Sequence, residues 1–215
     1  KMIMYNPDGT ESKMCSDGLR CVAVYLNKKV KKVKFEIETK AGIIPVLIDK
    51  DVIINMGKIN ITPKKIPVIT DKNIFINEDI YVAGERFKTT CLSVGNPHAV
   101  SFVDNVDNIN LDEIGPYFEM HYLFPERVNV NLVQIINEDA IKIKTWERGV
   151  GEVLSCGSGA CASVGAAILN HKLDQNKTIE VASKGGMQKV KCLKNEEMIL
   201  KGKANFIYKG KTYIK

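Results

Sequence analysis

Residues 155–161 have the sequence SCGSGAC and lead into an alanine-rich segment. A related stretch, residues 14–21 (MCSDGLRC), leads into another apolar segment near the start of the chain. In both stretches a cysteine directly precedes small or polar residues that open a helix. Each half of the sequence also carries an Asn-Pro step, which initiates turns. This weak duplication predicts two similar lobes, with Cys15 and Cys156 on opposite sides of a cleft.

Short stretches of alternating or continuous apolar residues predict that most of the remaining chain forms strands. They lie at residues 33–37, 43–48, 52–54, 141–145, 179–181 and 198–200. We expect helices at residues 18–27, 74–87 and 159–170. Strands outnumber helices without alternating regularly with them, so we predict an α+β fold. Pro63 and Pro67 interrupt the pattern and indicate a crossover between two lobes near residue 58.

The composition is that of an ordinary globular protein. The chain has 215 residues, of which 45% are apolar and 26% are charged, and no run reaches the roughly eighteen apolar residues of a membrane span. The net charge of +6 comes from 27 Lys and 4 Arg that are spread among Asp and Glu. This spacing is typical of a solvated surface, so we expect neither a nucleic-acid nor a membrane partner.

The first residues show no secretory signal, and six cysteines are too few for a disulfide scaffold. We therefore expect the thiols to stay reduced and the protein to be cytoplasmic.

The cysteines that precede helices are candidates for acid–base chemistry. At a helix N-terminus, free backbone N–H groups and the positive end of the helix dipole lower the pKa of a thiol and attract an anion such as a carboxylate. From their positions alone, Cys15 and Cys156 indicate thiol catalysis beside a bound anion.

Other interpretations of the cysteines stay open. A cysteine near an alanine-rich helix is commonly a small buried apolar residue. We interpret the remaining four in this way, which are Cys21, Cys91, Cys161 and Cys192. A zinc site is a second alternative, although the spacings do not match the paired short spacings of zinc ligands, and we predict no metal. The C-x-x-C pattern of a thioredoxin-like redox pair is absent from the sequence.

Four motifs, in this order along the chain, resemble the diaminopimelate epimerase family. They are residues 6–21 (NPDGTESKMCSDGLRC), 95–98 (GNPH), 124–131 (FPERVNVN) and 146–161 (WERGVGEVLSCGSGAC). Each motif alone is weak evidence, but the four together identify the chain as similar to this family.

The resemblance implies a cofactor-independent enzyme that converts LL- to meso-diaminopimelate in lysine and peptidoglycan-precursor biosynthesis. It implies that Cys15 and Cys156 act as a pair, one removing the α-proton as thiolate while the other delivers a proton to the opposite face. It further implies a homodimer and two pseudo-symmetric lobes, each a curved, mostly antiparallel sheet around a central helix. By this likeness the lobes are residues 1–57 with 202–215, and residues 58–201.

The resemblance also implies which residues hold the amino-acid substrate. They are Asn6, Ser16, Asp17, Asn96, Asn129, Glu147, Arg148, Gly157 and Ser158. The asparagines hydrogen-bond the diacid, and backbone N–H groups at the two helix entries bind its carboxylate. Glu147 handles the amino group and Arg148 the distal carboxylate, since guanidinium binds carboxylates bidentately. Taken alone, the asparagines fit turns, the Glu-Arg pair fits a surface ion pair, and we interpret His98 as structural.

The chain departs from the family pattern at two places. After the first cysteine it has Ser16 and Asp17 where the family has Gly-Asn, and a carboxylate at Asp17 repels a substrate carboxylate unless it turns away. The family's first strands do not precede residue 1, from which we expect a compromised first lobe and poor activity, whereas residues 204–210 resemble its last strand. A cysteine-pair racemase of another amino acid, such as histidine, and a non-catalytic thiol or metal-binding protein remain alternatives.

Overall fold

Three α-helices and twelve strands form the part of the chain that the computed structural model describes, which is residues 1–5, 9, 11–211 and 213. The helices are α1 (Ser16–Val30), α2 (Leu111–Glu119) and α3 (Gly157–Leu169). The strands are β1 (Lys34–Thr39), β2 (Gly42–Ile48), β3 (Val52–Lys58), β4 (Glu78–Val82), β5 (Glu85–Ser93), β6 (Pro97–Phe102), β7 (Asn129–Asn137), β8 (Ala140–Glu147), β9 (Gly151–Val153), β10 (Thr178–Ser183), β11 (Gly186–Cys192) and β12 (Glu197–Gly202). This mixture confirms the predicted α+β class.

The described residues fall into two compact units, Lys1–Ile54 with Gly202–Lys215, and Asn55–Lys201. Their boundary lies within β3. The proposed arrangement of two lobes around a cleft stays a prediction.

In the first unit, β1, β2 and β3 pair antiparallel in chain order. Helix α1 packs against β2 and buries Leu19 and Ala23, while Ile37 and Val46 are buried on the strands. The helix ends at Val30, and Lys31 caps it with a left-handed backbone and an N–H that donates to the Asn27 carbonyl at 2.8 Å. Apolar burial on one face of the helix and of the strands therefore builds this unit's core.

In the second unit the strand order is β12-β11-β10-β8-β7-β6-β5-β4, with β9 paired to β8. Most neighbours are antiparallel, but β10 runs parallel to β8 and β6 runs parallel to β7. The parallel β6–β7 pair places His98 opposite Asn129 and Val100 opposite Asn131, so polar side chains of two separate segments meet.

Helix α3 is buried over almost its full length, from Gly157 to Ala167. Its sequence consists mainly of Gly, Ala, Ser and Cys, and these small side chains let strands β5 to β8 and β11 approach it. A helix that is apolar all round belongs inside a domain. The N-terminal end of α3 therefore lies in the interior of the second unit.

The helix predicted at residues 74–87 is wrong, since this stretch holds β4 and the start of β5. In β4, Ile80 and Val82 are buried and Tyr81 between them is exposed, which is the period-two pattern of a strand. Ala83 and Gly84 both have positive φ and form the two-residue turn into β5. The composition of this segment also fits a helix, but the short turn makes it a β-hairpin.

Helix α2 is not predicted from the sequence, because Gly115 and Pro116 lie in its middle and both disfavour helices. Asn110 caps it by accepting a hydrogen bond from the Asp112 N–H at 3.2 Å. The strand expected at residues 204–210 is also wrong, since these residues form no regular element.

Gly115 allows α2 to lie directly against the ring of Trp146. A Cβ at this position would be 2.4 Å from Trp146 Cδ2, closer than real Cβ contacts come. On the same helix Phe118 packs edge to face on Phe87, with ring centroids 5.0 Å apart. Helix α2 is thus anchored to the sheet at two points of its buried face.

We expect Gly115→Ala to lower the free energy of unfolding by about 1–3 kcal/mol, because the added methyl group overpacks the contact with Trp146. Urea denaturation followed by circular dichroism measures this change. Gly165→Ala is the matched control, since a Cβ there lies 3.3 Å from Ile59 Cγ2 and 3.5 Å from Ile59 Cδ1, a much looser contact, and the substitution also favours the helix. Equal effects of the two substitutions would contradict the role of the close contact.

Candidate active site

Both predicted catalytic cysteines are the N-caps of helices. Cys156 precedes α3 with an extended backbone, and its Sγ accepts a hydrogen bond from the Gly159 N–H at 3.3 Å. Cys15 precedes α1 in the same way, and its Sγ accepts from the Gly18 N–H at 3.4 Å. Each sulfur therefore takes the place of the oxygen that usually caps a helix, and each receives a donor suited to a thiolate.

The entry of α3 is a buried helix N-terminus, the end of a helix that attracts anions. The first N–H groups of an α-helix have no partner within it, and here they belong to Gly157 and Ser158. Gly159 is required at this entry, since its Cβ would lie 2.5 Å from Asn131 Oδ1 and 3.1 Å from Thr145 Oγ1. The helix N-terminus is therefore pressed against polar side chains of β7 and β8.

A buried hydrogen-bond chain begins at Thr145 and determines the state of His98. Thr145 Oγ1 donates to Asn131 Oδ1 at 3.0 Å, which leaves Asn131 Nδ2 facing His98 Nδ1 at 2.9 Å. Because an amide nitrogen only donates, Nδ1 accepts and the ring proton is assigned to Nε2. Burial and the charge of Arg148 lower the pKa of His98 to about 3. His98 is therefore a neutral imidazole at physiological pH.

The chain continues from His98 to Cys156. His98 Nε2 lies 3.0 Å from Asn96 Oδ1 and 3.1 Å from Ser158 Oγ, and Asn96 Nδ2 donates to the same Ser158 oxygen at 3.2 Å. Ser158 Oγ in turn lies 3.4 Å from Cys156 Sγ. Since the serine oxygen accepts from Asn96, its hydroxyl proton is available to the sulfur.

Burial raises the pKa of the Cys156 thiol well above its usual value, and the charge and hydrogen bond of Glu147 raise it further. Hydrogen bonds from Ser158 and the Gly159 N–H lower this pKa, but their effects are smaller. The sequence-based expectation of a lowered pKa is therefore wrong for Cys156, because burial and Glu147 outweigh the helix N-terminus. In this arrangement Cys156 holds its proton.

Asn129 and Arg148 lie at the edge of the same site. The Arg148 N–H donates to Asn129 Oδ1 at 3.0 Å, and Asn129 Nδ2 donates to the Pro97 carbonyl at 2.8 Å. The guanidinium of Arg148 donates through Nη1 to the Glu126 carbonyl at 3.0 Å. The second unit thus links six predicted residues to Cys156 or to His98, which are Asn96, Asn129, Glu147, Arg148, Gly157 and Ser158.

In the first unit, Asp17 forms an ion pair with Arg20, whose Nη2 lies 2.9 Å from Asp17 Oδ1. Ser16 Oγ lies 3.5 Å from the same oxygen, and both residues belong to the first turn of α1 beside Cys15. The guanidinium offsets the negative charge that the sequence places at this helix entry. Asn6, the remaining predicted substrate residue, lies outside the described residues.

Sequence reasoning missed three polar residues of this site and undervalued a fourth. Asn131, Thr145 and Glu119 were not singled out, and His98 was interpreted as structural although it contacts two predicted substrate residues. One signal was present for Asn131, since it lies two positions after Asn129 and shares a face of β7 with it. Nothing in the sequence pairs Thr145 or Glu119 with the site, because these contacts join distant segments.

Among the residues that the structure describes, no group of three or more His, Cys, Asp or Glu side chains is arranged to hold a metal ion. No helix in this part of the chain is long and apolar enough to cross a membrane. A cavity of about 260 Å³ lies in the first unit beside Cys21, Tyr25 and Phe206 and holds none of the predicted site residues.

Comparison with known proteins identifies close relatives. The profile of the family described as diaminopimelate epimerase matches residues 90–207. Diaminopimelate epimerases from Bacillus cytotoxicus and Bacillus mycoides are each 42% identical to this chain over 219 aligned positions, which cover 98% of this chain and 76% of the relative.

The fold has solved counterparts of low sequence identity. A hydroxyproline epimerase from Agrobacterium vitis superimposes with a TM-score of 0.67 at 14% identity, covering 94% of this chain and 66% of the other. A probable proline racemase from Agrobacterium radiobacter gives a TM-score of 0.64 at 16% identity, and the superposition covers 93% of this chain and 66% of the other. These likenesses establish the fold.

Stability should decrease as the pH falls below about 6.5, the ordinary pKa of histidine. His98 resists protonation in the folded state down to about pH 3, whereas in the unfolded chain it takes up a proton near its ordinary pKa. Over this range the unfolded state binds one more proton, which lowers the free energy of unfolding by up to about 1.4 kcal/mol per pH unit. Urea denaturation over this range should give a steeper pH dependence for the wild type than for His98→Gln, and equal slopes would contradict the assignment.

Glu147→Gln should lower the pKa of Cys156, because it removes the negative charge beside the thiol. Alkylation of Cys156 by iodoacetamide, followed across pH by mass spectrometry of its peptide, should show a midpoint moved to lower pH. Glu138→Gln, at an exposed carboxylate of the same unit, should leave the midpoint in place. An unchanged midpoint in Glu147→Gln would show that Glu147 does not act on the thiol.

Proposed function

The chain belongs to the diaminopimelate epimerase family, and from this premise we propose that it interconverts LL- and meso-diaminopimelate by inverting one α-carbon without a cofactor. Members of this family are isomerases of lysine and peptidoglycan-precursor biosynthesis. The observation that carries the proposal is the buried Cys156 thiol at the N-terminus of α3, with Glu147 beside it and neutral hydrogen-bond donors around it.

In the proposed reaction, the Cys15 thiolate removes the α-proton from one face of the substrate and the Cys156 thiol protonates the other face. The electron pair of the broken C–H bond stays on the α-carbon and is delocalised into the adjacent carboxylate. Cys15 then holds the abstracted proton and Cys156 is the thiolate, so the reverse reaction uses the two groups in opposite roles. Inversion follows because each sulfur serves one face.

The raised pKa of Cys156 supports its role as the resting proton donor. Once it has given up its proton, the thiolate is stabilised by the Gly159 N–H at 3.3 Å and by the Ser158 hydroxyl at 3.4 Å. Glu147 keeps the proton on this sulfur before the reaction, since its negative charge raises the pKa of the thiol. The site therefore favours the neutral thiol before the reaction and offers donors to the anion afterwards.

The main barrier is the weak acidity of an α-hydrogen beside an ionised carboxylate. As the proton leaves, negative charge accumulates on that carboxylate, and we assign its stabilisation to the backbone N–H groups of Gly157 and Ser158 together with those of Ser16 and Asp17. Prearranged donors at a buried helix entry stabilise such charge without reorganisation. The burial of the α3 entry supports this assignment.

Substrate recognition is assigned to Asn6, Asn96, Asn129, Glu147 and Arg148. Both hydrogen-bonded asparagines, Asn96 and Asn129, keep further amide capacity after their contacts within the protein, because each amide group offers two N–H donors. Arg148 carries the charge that matches the distal carboxylate, and Glu147 carries the charge that matches the amino group.

The ion pair with Arg20 supports a diacid substrate despite Asp17. An uncompensated carboxylate at this helix entry would repel the substrate carboxylate, whereas the guanidinium 2.9 Å away offsets that charge. We also propose that the protein is a homodimer and cytoplasmic. The likeness to the family supports the homodimer. The need for reduced thiols supports the cytoplasm.

Incubation of the protein with LL-diaminopimelate in deuterium oxide tests this function. We expect exchange of the α-hydrogen together with formation of the meso isomer, both followed by NMR. Cys156→Ser and Cys15→Ser should each reduce the rate by about 10²–10⁴-fold, the range of general acid–base catalysis. Cys21→Ser, at an exposed thiol of the first unit, is the matched control and should keep the activity.

Full activity of Cys156→Ser would contradict the two-thiol mechanism. Exchange of histidine or another amino acid in place of diaminopimelate would assign the chain to a different racemase. Absence of exchange with every amino acid tested would favour a non-catalytic thiol protein.

A further inference from the structure

Glu119, the last residue of α2, is a buried carboxylate that the proposed reaction does not use. The residue is only 6% exposed. It accepts hydrogen bonds from Trp146 Nε1 at 2.7 Å and from the Gly149 N–H at 2.9 Å, and it forms an ion pair with Arg127 Nη1 at 3.3 Å. A buried carboxylate is costly unless donors surround it, and these three donors satisfy that requirement.

Two of the three donors to Glu119 lie on either side of the Glu147–Arg148 pair. Trp146 directly precedes the pair and Gly149 directly follows it. One carboxylate therefore holds the two ends of the turn that joins β8 to β9, one end through each of its oxygens.

The turn itself is tight. Gly149 has a φ of 74°, and the Val150 N–H donates to the Glu147 carbonyl at 3.0 Å. Because both ends of so short a turn are held, the Cα–Cβ directions of the residues between them are restrained as well. A shift of Gly149 or Trp146 would change where Glu147 and Arg148 point.

Helix α2 and strand β7 both contact this turn. Gly115 brings α2 against the Trp146 ring, so the Glu119 carboxylate is carried on a helix packed against the residue that it binds. Asn129 accepts the Arg148 N–H at 3.0 Å from β7. The turn is thus braced by a helix that carries none of the predicted substrate residues.

We propose that Glu119 is a positioning residue for substrate binding, which acts by holding the Glu147–Arg148 turn in the orientation that receives the amino group and the distal carboxylate of the substrate. This inference rests on the proposed function of those two residues. Its main consequence is a loss of substrate affinity when Glu119 is altered, because Ser158 and Gly159, which donate to the Cys156 sulfur, lie on α3 and not on this turn.

Glu119→Gln is the direct test. Glutamine keeps the size of the side chain but has one acceptor oxygen, so an N–H group then faces either Trp146 or the Gly149 and Arg127 donors. We expect KM for diaminopimelate to rise about tenfold or more while kcat changes much less, as for a lost positioning contact. Asp112→Asn, an exposed carboxylate on the same helix, is the charge-matched control and should leave both constants unchanged.

Trp146 supplies a second readout, because it is the only tryptophan in the chain. Loss of the carboxylate next to its Nε1 should shift its fluorescence emission in Glu119→Gln and not in Asp112→Asn. If Glu119→Gln does not fold, Trp146→Phe removes the same hydrogen bond while keeping an aromatic ring, and it should also raise KM more than it lowers kcat.

A shifted emission with unchanged KM, or a parallel loss of kcat and thermal stability with unchanged KM, would overturn the inference and leave Glu119 a structural residue. An equal rise of KM in Asp112→Asn would overturn it too, since general loss of negative charge would then explain the effect. A wild-type protein without epimerase activity overturns the proposed function itself, and with it the role of Glu119. That outcome is distinct from an active wild type with an unaffected Glu119→Gln.

Discussion

The second unit depends on one constraint, which is that the N-terminus of α3 is buried against polar side chains. Small residues along α3 let strands surround the helix, and Gly159 lets its first turn touch Asn131. A buried helix end must have its N–H groups satisfied by a side chain, a ligand or water. The Cys156 sulfur accepts from the Gly159 N–H, and we propose that a substrate carboxylate accepts from the N–H groups of Gly157 and Ser158.

The surroundings at the N-terminus of α3 favour neutral side chains. Burial keeps both the His98 ring and the Cys156 thiol uncharged, because each charged form loses its hydration there. Asn131 also directs the ring proton of His98 toward Ser158 and Asn96. A substrate carboxylate bound at this helix entry therefore meets dipoles and N–H donors instead of a competing anion, apart from Glu147 beside the thiol.

The charged groups of the site lie at its edge and are held from outside it. Glu119 binds both ends of the turn that carries Glu147 and Arg148, and α2 keeps Glu119 in place through the close contact of Gly115 with Trp146. The molecule thus separates two tasks. In the proposed function, the N-terminus of α3 provides the acid–base group and the carboxylate site, and α2 holds the residues assigned to the other charged groups of the substrate.

The sequence by itself determined the α+β class, the two helices that follow cysteines, and the family, because these depend on local patterns and on motifs that are contiguous in the chain. It did not reveal helix α2, whose glycine and proline oppose helix formation locally and whose stability comes from packing on Phe87 and Trp146. Only the tertiary structure decided the raised pKa of Cys156, the tautomer of His98 and the contacts of Glu119. Each of these features arises where segments that are far apart in the sequence meet inside the protein. There, burial and the neighbouring side chains together determine whether a titratable side chain is charged.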